Sequence, residues 1–178
     1  MELLEILDER GQKTGQLLEK DEIHKKGLYH REVALILMNY EGEILLQKRA
    51  SAKEIQPNKW AWHGGHVLPD ETDREGIIRE AEEELGVTLQ KTELNILIQT
   101  KRDKVPNRQF TTVFFSICNL SAEQFTIQKE ELSEVKWFPY EEFKQMIYEE
   151  HPDMMFKNNE NTSKILKAIE EKILPHLS

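Results

Sequence analysis

The 178-residue chain has one cysteine, Cys118, and so cannot build an internal disulfide framework. It has no run of about 18 consecutive apolar residues, which leaves no candidate transmembrane helix. Basic runs are missing too. With 24 Lys+Arg against 33 Asp+Glu the formal net charge is −9, and no cationic stripe is present to displace the counterions of a nucleic acid. Nor does Met1-Glu2-Leu3 begin a basic and then apolar leader. These absences lead to the expectation of a soluble, cytoplasmic protein with neither nucleic acid nor membrane as partner. Repeats, low-complexity segments and linker-like stretches are also absent. At 38% hydrophobic the chain can bury one good core, so residues 1–178 are expected to form a single domain.

What is present in quantity is acid, and it is concentrated between Gly65 and Val87. The run Asp73–Leu85 reads as a helix: Asp70 or Thr72 can cap it, acids crowd its first turn, and Gly86 ends it. Ile77 or Ile78, Ala81 and Leu85 form a stripe that can pack on a sheet. Glu80, Glu83 and Glu84 stand at i, i+3 and i+4, so their carboxylates share a face, while Glu82 points elsewhere. Like charges so spaced repel by roughly 0.2–0.5 kcal/mol per pair, and more where solvent is excluded. Something positive should sit on them, and hard oxygen ligands suit Mg²⁺ or Mn²⁺ beside a phosphate chain. Arg79 can pair with Glu71 or Glu83 and hold the carboxylates in place. Gly64 and Gly65 let backbone approach the metal or the phosphate closely. A bare acidic helix face would be unremarkable, but the whole spacing of Gly65, Glu71, Arg79, Glu80, Glu83, Glu84 and Gly86 has a chance frequency on the order of 10⁻⁵ over the chain.

This segment resembles the Nudix box, a glycine, glutamate, arginine and paired-glutamate pattern with every fixed position present and Ala81 in place of a bulky aliphatic residue. The resemblance implies an α/β fold of Nudix type, an α/β/α sandwich around a mixed β-sheet. It implies a hydrolase that cleaves diphosphate linkages with Mg²⁺ or Mn²⁺. By position it makes Glu80, Glu83 and Glu84 metal ligands, the Gly65 carbonyl a further ligand, and Arg79 an orienting residue.

The rest of the chain reads as alternating short elements. Strands are expected at residues 3–7 and 14–18 around the turn Asp8–Gly11, then a short helix Lys20–Lys26 closed by Gly27. Val33–Asn39 and Ile44–Gln47 form a hairpin through Tyr40-Glu41-Gly42. Ala50–Pro69 reads as irregular. Leu94–Thr100 and Phe110–Ile117 read as strands about a charged loop Lys101–Arg108, and Val135–Phe138 as a last strand before Pro139, which opens a helix through Ile147. An amphipathic helix from Thr162 to Ile173 turns Ile165, Leu166, Ile169 and Ile173 inward. Residues 1–30 thus form an extension packed on the domain.

Outside the box, Trp60 and Trp62 precede the glycines, where an aromatic can stack on a base or sugar or pack under the loop. His66, and less so His63, can meet a phosphate or a second metal. Arg49, ending an apolar strand that leads into the site, is placed to offset phosphate charge. The general base is Glu84 or a carboxylate distant in sequence, with Glu131 and Glu134 the candidates. The proposed chemistry is attack of water on one phosphorus of a diphosphate, the metal activating the water and neutralising the leaving group.

His24 through Arg31, Leu46-Gln-Lys-Arg49, Pro57-Asn-Lys-Trp60 and Gly65-His66 further resemble the isopentenyl-diphosphate isomerase branch of the superfamily. In that branch a cysteine and a glutamate move protons, and the cysteine would fall at Gly64. The isomerase acids correspond to Asn107-Arg108-Gln109, which offers amides, while His24, His30 and His66 match histidines that bind the isomerase metal. Cys118 reads as a small buried residue and not as a displaced catalyst. The expectation is therefore a diphosphate hydrolase on an isomerase-like frame, with isomerase activity or a non-catalytic binding module as alternatives. Residues 101–109, 120–130 and 151–161 are the expected walls of the substrate site, and a homodimer is compatible with the exposed N-terminal strands or the C-terminal helix.

Overall fold

A computed structural model describes residues 2–177. It begins with a hairpin of β1 (Leu3–Leu7) and β2 (Lys13–Glu19), turned where the Asp8 carboxylate accepts from the Arg10 and Gln12 amides. Leu4, Ile6 and Leu18 pack on Ile23 of α1 (Lys20–Lys26), which Gly27 closes in the left-handed region at φ 60°. The N-terminal extension is as its turn and cap residues predict.

Seven further strands make one mixed sheet: β3 (His30–Met38), β4 (Glu43–Arg49), β5 (Trp60–Ala61), β6 (His63–His66), β7 (Asn95–Lys104), β8 (Asn107–Ile117) and β9 (Leu132–Pro139). β3 lies antiparallel to β6 and parallel to β8, whose other edge carries β7. β4 pairs antiparallel with β5 and β9 but meets β3 only at Met38–Ile44, so the hairpin splays into two halves. Alternate side chains of β3 feed two cores. Ala34, Ile36 and Met38 pack beneath α3 (Tyr140–Tyr148) and α4 (Glu160–Lys172), with Ile165, Leu166, Ile169 and Ile173 turned inward. Val33, Leu35 and Leu37 pack beneath α2 (Asp73–Glu80) and the turn that follows it, through Ile77, Ala81 and Leu85. This is the expected α/β/α sandwich. Among the described residues no helix is long and apolar enough to cross a membrane.

Of the two candidate caps for α2, Thr72 is the one used. Its hydroxyl accepts from the Glu75 amide while the Glu75 carboxylate accepts from the Thr72 amide, a reciprocal capping box. Two readings are corrected. Lys101–Arg108 is not a loop: β7 and β8 run through it as a ladder and turn at Val105-Pro106. This end of the hairpin is exposed or only partly covered, so it shows no apolar alternation by which a strand could be recognised. The stretch Ala50–Pro69 is not wholly irregular either, since it contains β5 and β6.

Candidate active site

The box helix does not continue unchanged to Leu85. After Glu80 it widens into a π-helical turn, Ala81–Leu85, closed by Gly86 at φ 66°. Such turns are rare in regular helices and concentrate at functional sites. Here the widened turn carries the acids: Glu80 and Glu84 turn inward, their side chains 10% and 16% exposed, while Glu83 stays outside at 56%.

Arg79 ties this turn to the loop before it. Its Nε and Nη2 donate to the two Glu71 oxygens at 2.6 and 3.0 Å, and Nη1 donates to Glu80 at 2.9 Å and Glu83 at 3.2 Å. Nη2 also donates to the His66 carbonyl at 2.9 Å, so one planar fork spans three box carboxylates and the glycine strand. The sequence offered Glu71 or Glu83 as its partner, and it takes both.

Gly65 is placed by contact. A Cβ there would lie 2.3 Å from Glu80 Cδ, so the inward turn of that carboxylate requires glycine. Burial raises the pKa of Glu80 against the opposing pull of Arg79. Burial also pushes Glu84 up to about 8, helped by the nearby charges of Glu80 and Glu131. A crowded set of carboxylate oxygens that resists its own ionisation is a donor set that fits a hard divalent cation.

Glu131, in the loop before β9, faces Glu84 closely enough for its charge to be felt there, and it is ion-paired with Lys53. The same loop is stitched to the box, the Gln128 amide donating to the Glu84 carbonyl at 2.9 Å and the Thr126 amide to the Leu85 carbonyl at 3.1 Å. Glu134 is exposed on β9, opposite Lys48. Arg49, half-buried at the end of β4, donates to the Ile55 carbonyl at 3.0 Å, and its charge also reaches Glu84. Lys53 was not singled out from the sequence, where nothing distinguishes it from other lysines.

His24, His30 and His66 converge, each presenting a ring nitrogen within 4.8 Å of the other two. Burial drives His30 down to about 4 and His66 well below its usual value, and His30 Nε2 is buried without a partner. Neutral imidazoles so grouped fit a metal that takes nitrogen donors. The isomerase-like cluster is therefore assembled, but its neighbours differ: Gln109 lies opposite His30 where the isomerases have acid.

Position 64 has no side chain and no room for one, because a Cβ would lie 2.7 Å from the Val33 carbonyl oxygen. Cys118 is half-buried beyond β8, its thiol pKa raised by burial. Of the two readings of Trp60, packing holds and substrate stacking does not: the ring is buried in the core, edge-on to Phe138 at 5.1 Å. Its backbone pairs with Asp153 and Met155, so residues 151–156 lie along β5. Trp62 is the partly exposed one, stacked at 3.6 Å on Phe156. His63 is buried against Gln47, Nδ1 2.8 Å from Gln47 Oε1, with Glu84 Oε2 at 3.7 Å.

Comparison with known proteins agrees with this geometry. The family model of the NUDIX domain matches residues 28–157. Nudix hydrolase 3 of Arabidopsis thaliana is 35% identical over 161 residues, covering 85% of this chain but only 21% of that protein. Prenyl-diphosphate phosphatase of Methanosarcina mazei is 28% identical over 156 residues, 87% of this chain and 90% of that one. A Deinococcus radiodurans crystal structure superposes with a TM-score of 0.73 over 94% of this chain and 99% of its own, at 22% identity, a likeness of fold. With the box glutamates, their arginine and the glycine that admits them all in one place, the chain belongs to the Nudix hydrolase family.

Proposed function

We propose that the protein hydrolyses a diphosphate linkage in a nucleoside diphosphate derivative or a related small molecule, with Mg²⁺ or Mn²⁺, by attack of water on phosphorus. The observation that carries this reading is the grouping of Glu80, the last residue of α2, with Glu83 and Glu84 of the widened turn after it, Arg79 clamping Glu80 and Glu83 and Glu131 lying near Glu84. Glu80, Glu83, Glu84 and the Gly65 carbonyl would hold the cation. Bound there, it acidifies water and offsets the negative charge of the diphosphate.

The chain's own groups supply the rest. Glu84, beside the cation, or Glu131, from the loop before β9, accepts the proton of the attacking water. Arg79 holds the carboxylates together against their mutual repulsion, and the charges of Arg49 and Lys53 lie near Glu84, where phosphate oxygens need cations. His24, His30 and His66 would hold a second divalent ion, as the resemblance to the isomerases implies. Isomerase chemistry itself lacks support at Gly64 and at Gln109, which offer neither acid nor base. The name of the Methanosarcina relative makes a prenyl diphosphate one substrate class worth including.

The test is product release from a panel of nucleotide and isoprenoid diphosphates with Mg²⁺ or Mn²⁺, wild type against Glu83→Gln. Metal-dependent cleavage that falls by orders of magnitude in the variant is expected. Binding without cleavage would leave a non-catalytic module, and conversion of isopentenyl diphosphate to its isomer would restore the isomerase reading.

A further inference from the structure

A cavity of about 430 Å³ opens beside the start of α2, where the turn of the N-terminal hairpin meets β7 and β8. Small-molecule sites have volumes of roughly 300–1,000 Å³. Neither the box glutamates nor the three histidines line it. Asp73, on its wall, opens α2, and Glu84 follows eleven residues later, roughly 15 Å along the axis at about 1.5 Å per residue. The charge of the wall runs against that of the molecule. In a chain with 24 Lys+Arg against 33 Asp+Glu, the cavity has Arg10, Arg31 and Lys101 against Asp73 alone.

Asp73 is already committed. One of its oxygens accepts from Arg31 Nη1 at 3.0 Å and the other from the Thr112 hydroxyl at 2.6 Å. The acids that sense the remaining cations lie off the wall and are engaged elsewhere: Asp8 accepts from the Arg10 and Gln12 amides, and Asp103 pairs with Arg108 at 2.9 Å. Lys101 Nζ donates to the Glu9 carbonyl at 2.8 Å and lies over the Tyr29 and Phe110 rings at 4.8 and 5.4 Å, which fixes an ammonium that has three hydrogens to give. Leu7 and the half-buried Phe110 make one side apolar, and Gly11 lies so close that a Cβ there would be 3.3 Å from the Phe110 ring. The hairpin turn is thus seated on the sheet and brings Arg10 with it. From this arrangement we infer that the cavity is a second ligand site, for a small organic phosphate monoester, with its phosphate between Arg10 and Lys101 and its organic part against Phe110 and Leu7. A dianion matches the two charges that the wall leaves without a partner, and hydrogen bonds between ionised groups are about twice as strong as neutral ones. The site needs no metal, unlike the carboxylate cluster, where phosphate requires a cation between.

The experiment is titration calorimetry of the full chain in chelator with phenyl phosphate, and with inorganic phosphate as the ligand lacking the organic part. Phenyl phosphate should bind, and inorganic phosphate should bind about tenfold more weakly for want of the buried ring. Arg10→Gln and Lys101→Met should each weaken phenyl phosphate by about tenfold or more, the size of one lost charge-assisted bond. Arg49→Gln, beside the carboxylate cluster, should leave it unchanged. Arg10 is exposed on the hairpin turn, so Arg10→Gln decides the matter even if Lys101→Met loosens the hairpin. No binding of phenyl phosphate, affinity indifferent to Arg10→Gln, or equal affinity for inorganic phosphate would each overturn the inference. Loss of binding in Arg49→Gln would overturn it too, by placing the anion at the carboxylate cluster. None of these outcomes touches the hydrolase reading, because metal is absent throughout.

Discussion

At the scale of single residues the site is defined by what two glycines make room for. Gly65→Ala would place a methyl on the Glu80 carboxylate, at the far end of a flexible side chain, so the fold should survive and the ligand should move. The expected outcome is Mn²⁺ affinity down by about tenfold or more with little change in melting temperature in chelator. Gly64→Cys differs, because its Cβ meets backbone, the Val33 carbonyl oxygen. It should lower stability by roughly 1–3 kcal/mol in urea titration and create no isomerase activity, since the acids are also missing. Arg79→Lys should behave as a binding defect: an ammonium cannot reproduce a fork that reaches Glu71, Glu80, Glu83 and the His66 carbonyl together. The glutamates and Arg79 were legible from spacing alone, because helical spacing sets which side chains lie together. Trp60, Gln47 and His63 were not, since their burial is set by strands whose partners are distant in sequence.

Among the elements, the π turn makes the acidic cluster. Gly86 closes it at φ 66°, with Thr126 where a Cβ would go, at 2.7 Å from its Cβ and 2.8 Å from its carbonyl oxygen. Gly86→Ala should cost roughly 1–3 kcal/mol by urea titration, and metal binding should weaken with it as the turn relaxes. The cap candidates Asp70 and Thr72 and the closing Gly86 marked where the box helix begins and ends, and Gly27 marked the end of α1. The widening after Glu80 had no marker, because Ala81–Leu85 has good helix formers throughout. Strand β6 was equally silent: His63-Gly-Gly-His66 has no β-branched residue, and its strand geometry comes from pairing with β3. Parallel pairing of β3 with β8, which brings Gln109 opposite His30, joins segments about 80 residues apart and leaves no local trace.

For the whole molecule, two acids, Glu84 of the site and Glu32 of β3, make stability depend on pH in a defined window. Glu84, raised to about 8, and Glu32, raised by burial to about 7, retain protons in the native state that the unfolded chain releases from 4.5 upward. Their contribution is full at low pH and is lost as pH rises through 7 to 8. His30 and His63, lowered by burial to about 4 from 6.5, act in the opposite sense, and their contribution disappears as pH falls from 6.5 through 4. Above pH 6.5 the glutamates therefore dominate. In chelator the urea midpoint should fall between pH 6.5 and 8, Glu84→Gln should flatten that decline, and saturating Mg²⁺ should reverse it by taking the place of the proton.

The most direct measurement of the central claim is hydrolysis of the diphosphate panel in ¹⁸O-water with Mg²⁺, the products being weighed by mass spectrometry. Attack on phosphorus at the diphosphate bridge predicts one ¹⁸O in one of the two phosphate-bearing products and no alcohol or free sugar as a non-phosphate product, with no turnover in Glu83→Gln. Label in the non-phosphate product would mean that the C–O bond breaks instead, and turnover that survives loss of Glu83 or removal of metal would contradict the role given to the box.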